Sequence, residues 1–388
     1  MTDQTLVYIS SWARSSDGSD EYGLSVCSLC GESGELRLIE TVELTVLFNV
    51  TCLDRQRGVL YALNEENELP GLRAGGGGRI FAFRVDPASG RLTPLCVRET
   101  WCPSPSYLSL DASGRFLIVS NHGSKAAITR IGQDAFGNYY PIVEHDDTAV
   151  ELFSLREDGS IDRLLDVVRH TGSGPERRQL TAHPHSVVMS PSGALFAVCD
   201  KGNDTVRLYR LDDERGRLVP PDQVHRCPPG SMPRYCIFHP EQPWLFFNNE
   251  NSGELCTLRY REDGGLEAVS SCRVLPEPLE MREQVLEQQG LVIDRSGQFL
   301  YDVTRGPNIV TVLRIDAATG RTEPVQYQSV PGLWPRGCAL SPDGRFLLVC
   351  CMESGEVLVY RVGGDGCLSG PVSRLPRRHA AFALCVRL

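Results

Sequence analysis

Histidine, arginine and carboxylate side chains recur at the two ends of a repeated strand phrase in this 388-residue chain. His183, His185, Arg234 and Arg336 stand at strand starts. Asn121-His122, Asp200-Lys201, Asn248-Asn249-Glu250 and Thr304-Arg305 stand at strand ends. Arginine clamps a carboxylate or phosphate through paired hydrogen bonds, and a histidine or glutamate beside it can activate water. Gathered in one place, these groups would suit a small anionic molecule, although each of them taken alone would serve equally well as a brace between strands. His183 and His185 also have the HxH form that zinc sites use. Pro184 between them shapes a strand start, however, and His239 stands where a turn usually has Ser or Asp, so no metal and no cofactor is expected. Four consecutive glycines at 75–78 lack the Lys-Ser/Thr pair and the helix start of a phosphate-binding loop, and read as the tip of a surface hairpin.

The elements that must carry these side chains are clearest between His183 and Leu211, HPHSVVMSPSGALFAVCDKGNDTVRLYRL. Apolar runs of four to eight residues punctuated by Ser, Pro, Gly and Asn predict three short antiparallel strands. The phrase returns in YLSLDASGRFLIVSNHG, CIFHPEQPWLFFNNENSGELCTLRY, LVIDRSGQFLYDVTRGPNIVTVLRI and CALSPDGRFLLVCCMESGEVLVYRV, with a degraded copy over 49–85. Gly193 lies 49 residues before Gln242, and Gly297 lies 47 before Gly344. Strand repeats of roughly this period signal propeller blades, and a closed ring would make residues 1–388 one domain. Five clear meanders, the degraded one and one assembled from both chain ends total seven. The segment at 379–388 is expected to pair with the strand at 6–10 and lock the ring, because an unpaired edge there would invite aggregation.

Three connections stand out. Residues 133–150 form an acidic, aromatic insert, read as irregular, before an outer strand at 151–159. Residues 166–182 form a polar connection. Residues 275–289, LPEPLEMREQVLEQQ, show apolar spacing that predicts one short helix in an otherwise all-β chain.

The marker phrases HPHSVVMSPSGALFAVCDKGNDTVRLYRLD, PRYCIFHP with NNENSGELCTLRY, and PRGCALSPDGRFLLV carry a resemblance to the lactonase family of seven-bladed β-propellers. That family contains propeller-type 6-phosphogluconolactonase and the carboxymuconate lactonizing enzyme. The resemblance implies that His185 is the pocket histidine, and that Arg234, Glu250 and Arg305 complete a catalytic group. His185 or Glu250 would then move the proton, while Arg234 and Arg305 bind the acid group or the developing oxyanion. Asp200 matches the acidic residue of a DLG-like phrase. His183, Asp200, Arg336, His122 and Asn249 are the expected substrate contacts. Tyr235 and Thr304 depart from the family's usual His and Asn, and the carboxylate expected before the fifth meander is missing from QQGLVIDRSG. The implied reaction is opening of a sugar lactone, with 6-phosphogluconolactone as the phosphorylated case. Cyclisation of a dicarboxylate and non-catalytic anion binding are the alternatives.

Composition narrows the partners. Net charge is −10, with RRH at 377–379 the sole small basic cluster, which argues against nucleic acid. No leader-like start and no run of eighteen apolar residues is present, so no membrane partner is expected. The fifteen cysteines sit inside strand-like runs without paired metal spacing, which fits a reducing compartment and a cytoplasmic location. A monomer or homodimer is expected.

Overall fold

The computed structural model describes residues 5–16, 18–69, 73–124, 126–282 and 285–388, and builds them into seven antiparallel blade sheets around a central channel, with two separate two-stranded hairpins. The sequence phrase supplies the first three strands of each blade. The outer edge of a blade is more exposed, and in the outer strand Thr322–Ser329 exposure alternates strictly because only one of its faces meets a neighbour. The second strands, such as Leu195–Asp200 and Phe346–Cys351, are buried throughout, which explains their continuous apolar runs. Successive innermost strands touch one another around the channel.

The hydrophobic core is divided in a way that follows from this layout. Each blade has two apolar faces and no internal core, so each face must be covered by the next blade. Seven clusters result, one between each pair of successive blades. Leu195, Cys199, Leu245 and Phe247 pack between the fourth and fifth blades, and Tyr301, Val303, Leu347 and Val349 between the sixth and seventh.

Ring closure matches the expectation. Ala380–Arg387 is the innermost strand of the first blade and pairs antiparallel with Thr5–Ser11, from Thr5 opposite Arg387 to Ser10 opposite Phe382. Cys27 and Cys385 lie in the core between the last and first blades, so both are buried packing thiols.

Three expectations are corrected. The insert after the third blade's second strand is a regular hairpin, Ala127–Gln133 with Tyr139–His145, which projects from the blade with nearly every side chain exposed. The segment after it, Thr148–Leu155, is the third strand of that blade, and Ile161–His170 is the outer one. No helix forms among the described residues of 275–289. Pro276 and Pro278 remove backbone donors and push the residues before them out of helical geometry. The described part of this segment instead runs without regular structure until the strand at Glu287–Ile293, laying Leu275, Leu279 and Leu286 against the core between the fifth and sixth blades.

Deleting residues 379–388 would strip the inner strand from the first blade and expose its paired edge. The truncated chain is expected to lose cooperative thermal unfolding and to aggregate on size-exclusion chromatography. A soluble truncation with the full-length midpoint would show that closure is dispensable.

Candidate functional site

Antiparallel pairing places the start of each innermost strand beside the end of the second strand, at one mouth of the channel. A cavity of about 460 Å³ opens there, a size suited to a small molecule. Every blade contributes to its wall. Trp12 comes from the first, Glu65 from the second, Ser104 and His122 from the third, and His183, His185 and Lys201 from the fourth. Arg234 and Glu250 come from the fifth, Glu287, Gln289 and Arg305 from the sixth, and Trp334 and Arg336 from the seventh.

A repeated backbone irregularity aims several of these side chains. The register slips between Pro184 and Ser186, Pro233 and Cys236, Gln288 and Leu291, and Pro335 and Cys338. His185, Arg234, Gln289 and Arg336 all fall inside these bulges, which free them from the pleat and turn them inward. Ser104, Met232, Trp334 and His379, each just before an innermost strand, have φ between 51° and 59°. Such left-handed backbone is uncommon outside glycine, and at Ser104 and Trp334 it sits in the cavity wall.

Charge dominates the cavity. Five cations, Arg178, Lys201, Arg234, Arg305 and Arg336, face three carboxylates, Glu65, Glu250 and Glu287, an excess of two positive charges. Glu250 lies 2.8 Å from Arg234 Nε, 3.1 Å from Arg178 Nη1 and 3.2 Å from Lys201 Nζ. Burial opposes its ionisation, but Lys201, Arg234 and Arg178 together hold it well below the usual carboxylate range. Glu287 pairs with Arg305 at 2.8 Å and Arg178 at 2.5 Å. Burial would raise Glu65, yet the hydrogen bond from His122 and the charge of Arg336 bring it down to about 2.

Arg234, Arg305 and Arg336 are 4–7% exposed and crowd one another. Burial first, then repulsion from Arg336 and Arg234, lowers Arg305 to about 10. Among the described residues, Arg234 Nη1 and Arg305 Nε are buried without a hydrogen-bond partner. Arg234 Nε meets Glu250 as an ion pair outside hydrogen-bond geometry. Buried N–H groups without acceptors are costly, and all three belong to arginines that line the cavity. Arg336 and Arg305 also lie over the rings of Trp12 and Trp334, at 5.0 and 4.7 Å from the ring centres.

The three imidazoles differ. His183 Nδ1 donates to the His122 carbonyl, and burial lowers the ring to about 4. His185 is lowered well below its ordinary value by burial and by Arg234 and Lys201, and its Nδ1 is buried without a partner among the described residues. Its ring is parallel to that of His122, 5.8 Å away. His122 Nε2 lies 3.0 Å from Glu65 Oε1.

Of the residues singled out in the sequence, His122, His183, His185, Arg234, Glu250, Arg305 and Arg336 line the cavity. Asp200 and Asn249 do not. Their side chains alternate away from the channel, as successive strand residues must. Asp200 is fully buried, accepts from the backbone N–H groups of His183 and Gly202, and meets His170 Nδ1 at 2.7 Å. Tyr209 caps the other nitrogen of His170. Asn249 Nδ2 donates to Cys256 Sγ. Glu287, at the start of the sixth blade's innermost strand and ahead of its bulge, also lines the cavity and was not singled out in the sequence. Glu65 and Arg178 escaped notice because they sit at the edge of a glycine-rich loop and inside a polar connection. His239 lies in a turn, bonded to the Gly297 carbonyl and outside the cavity. Among the described residues, no group of three or more His, Cys, Asp or Glu is placed to hold a metal ion.

A ring of seven blades whose channel mouth is a charged, small-molecule-sized cavity defines a propeller of the ligand-binding or enzymatic kind. A family model described as Lactonase, 7-bladed beta-propeller, matches residues 7–382, and the chain belongs to that family. It is 26% identical to the 6-phosphogluconolactonase of Bacillus subtilis, over 81% of this chain and 82% of that protein. It is 24% identical to the 6-phosphogluconolactonase of Formosa agariphila, over 92% of each. The structure of the periplasmic gluconolactonase PpgL of Pseudomonas aeruginosa superposes with a TM-score of 0.83 at 26% identity, covering 99% of both chains. No described helix is long and apolar enough to cross a membrane.

Behind the wall, Asp302 is fully buried without a cation, accepting from Asn248 Nδ2 at 2.9 Å and from Gln288 and Thr304. Burial pushes it up to about 7. An unfolded aspartate titrates near pH ~3.9, so between these values the folded state keeps a proton that the unfolded state has lost. Its contribution to stability therefore falls as pH rises from about 4 to about 7. Asp302→Asn is expected to make the decline in melting temperature from pH 5 to 8 shallower than in the parent. Equal slopes would show that Asp302 is ionised throughout.

Proposed function

We propose that this protein hydrolyses a sugar lactone bearing an anionic group, by addition of water to the ring carbonyl. The excess of two positive charges in the cavity carries this reading. A neutral lactone would leave that excess uncompensated, whereas a phosphate or carboxylate would balance it. The curated relatives named 6-phosphogluconolactonase support a phosphorylated substrate.

In this reading one guanidinium group binds the substrate's anion and another stabilises the oxyanion formed when water adds, a preorganised interaction that needs no reorientation during reaction. Glu250 holds Arg178, Lys201 and Arg234 in place. With three cations around it, Glu250 is a poor proton acceptor, so the transfer falls to an imidazole of the cavity wall. His185 supplies a neutral ring there. The fifteen unpaired thiols, including the neighbours Cys350 and Cys351, support a reducing compartment such as the cytoplasm.

The test is turnover of 6-phosphogluconolactone, unphosphorylated gluconolactone and a carboxymuconate by purified protein. The phosphorylated lactone is expected to lead by at least tenfold in kcat/KM, with Glu250→Gln and Arg305→Ala each losing tenfold or more. His185→Ala is expected to reduce turnover. Anion binding without hydrolysis would indicate a non-catalytic propeller, and cyclisation of the muconate would indicate the reverse chemistry.

A further inference from the structure

We infer that His122 is the general base of this site and that Glu65 is its positioning residue, an assignment that rests on the lactone-hydrolase reading above. The two come from different blades, after the strands Val59–Asn64 and Phe116–Asn121, and meet at the cavity wall. Glu65 is held from several sides. Its Oε2 accepts from Trp12 Nε1 at 3.0 Å, Asn49 Nδ2 at 2.5 Å and Arg336 Nη2 at 3.4 Å. Its Oε1 is thereby left for His122 Nε2 at 3.0 Å.

The tautomer follows from the donors and acceptors. An ionised carboxylate only accepts, so His122 Nε2 carries the proton and Nδ1 bears the lone pair. Nδ1 has no protein partner among the described residues and is not among the buried atoms, so it remains open to the cavity. A carboxylate behind one ring nitrogen fixes the tautomer and stabilises the imidazolium that forms when the other takes a proton.

Neither of the other two rings has this arrangement. His183 Nδ1 is committed to a neutral backbone carbonyl, and His185 has no carboxylate contact while lying close to Arg234 and Lys201. Both are pulled toward the neutral, weakly basic state. Parallel stacking with His185 on one side and edge contact with His183 on the other hold the His122 ring in its plane.

The step balances without a co-reactant. Water oxygen bonds to the lactone carbonyl carbon as His122 Nδ1 takes one water proton, leaving a tetrahedral oxyanion beside the guanidinium groups. The bond from that carbon to the ring oxygen then breaks, and His122 returns its proton to the departing oxygen. The products are a hydroxyl group and a carboxylic acid, which ionises.

The experiment combines kinetics with NMR on the intact chain. In wild-type protein, histidine-labelled NMR is expected to show His122 protonated on Nε2 at neutral pH and titrating at the same pH as the acidic limb of kcat/KM. His122→Gln should lower kcat by ~100-fold or more, the range for loss of a general base, with KM within about threefold. Glu65→Gln should lower kcat less and displace the acidic limb to lower pH, while Glu65→Asp restores part of both. A merely structural Glu65 would leave the limb in place. An active wild-type protein whose His122→Gln variant keeps its kcat, or whose limb does not coincide with the His122 titration, overturns this assignment and leaves the lactonase reading intact. A wild-type protein inert on every lactone overturns both.

Discussion

The pairing of Thr5–Ser11 with Ala380–Arg387 is the constraint on which the remaining structure depends. A propeller blade has no core of its own, so an open arc would leave apolar faces uncovered at both ends. Joining the two chain ends within one sheet covers all of them at once and holds every innermost strand at a common distance from the axis. The cavity inherits this geometry. Its wall has members from all seven blades, and the separation of any two is set by the ring and by no local segment.

Within that frame the site is an electrostatic compromise. Arg234, Arg305 and Arg336 are nearly removed from water and repel one another, an arrangement that is costly unless countercharges are supplied. Glu65, Glu250 and Glu287 supply them, each from a different blade and each shared among two or more donors. The carboxylates stop short of neutrality, and a ligand anion would complete the balance. The same crowding of cations separates the imidazoles. His185 sits among positive charges, while His122 is the one of the three cavity imidazoles backed by a carboxylate among the described residues.

Backbone irregularity does the aiming. The innermost strands of the third to seventh blades slip register near their first residues, and the side chains released there include His185, Arg234 and Arg336. A regular pleat would have sent alternate residues into the inter-blade core. Asp200 and Asn249, on the regular second strands, show that outcome. Asp200 stands at a recurrent strand end and matches the acidic residue of a DLG-like phrase, but it turns into the blade and ties the His183 backbone to His170 and Tyr209.

The sequence by itself determined the all-β ring and its closure, because turn residues and strand-like apolar runs repeat at the period of a propeller blade, while the count of seven blades needed the structure, since one copy is degraded and one is assembled from both chain ends. It also indicated His122, His183, His185, Arg234, Glu250, Arg305 and Arg336, which stand at recurrent strand ends and so share one rim. Glu65, Glu287 and Arg178 were hidden, since a glycine-rich loop, a segment with helix-like spacing and a polar connection carry no repeat signal. The two prolines at 276 and 278 were the overlooked warning against that helix. Which carboxylate faces which histidine was decided by the tertiary structure alone. Glu65 and His122 are 57 residues apart, and their contact depends on how two blades are set around a closed ring.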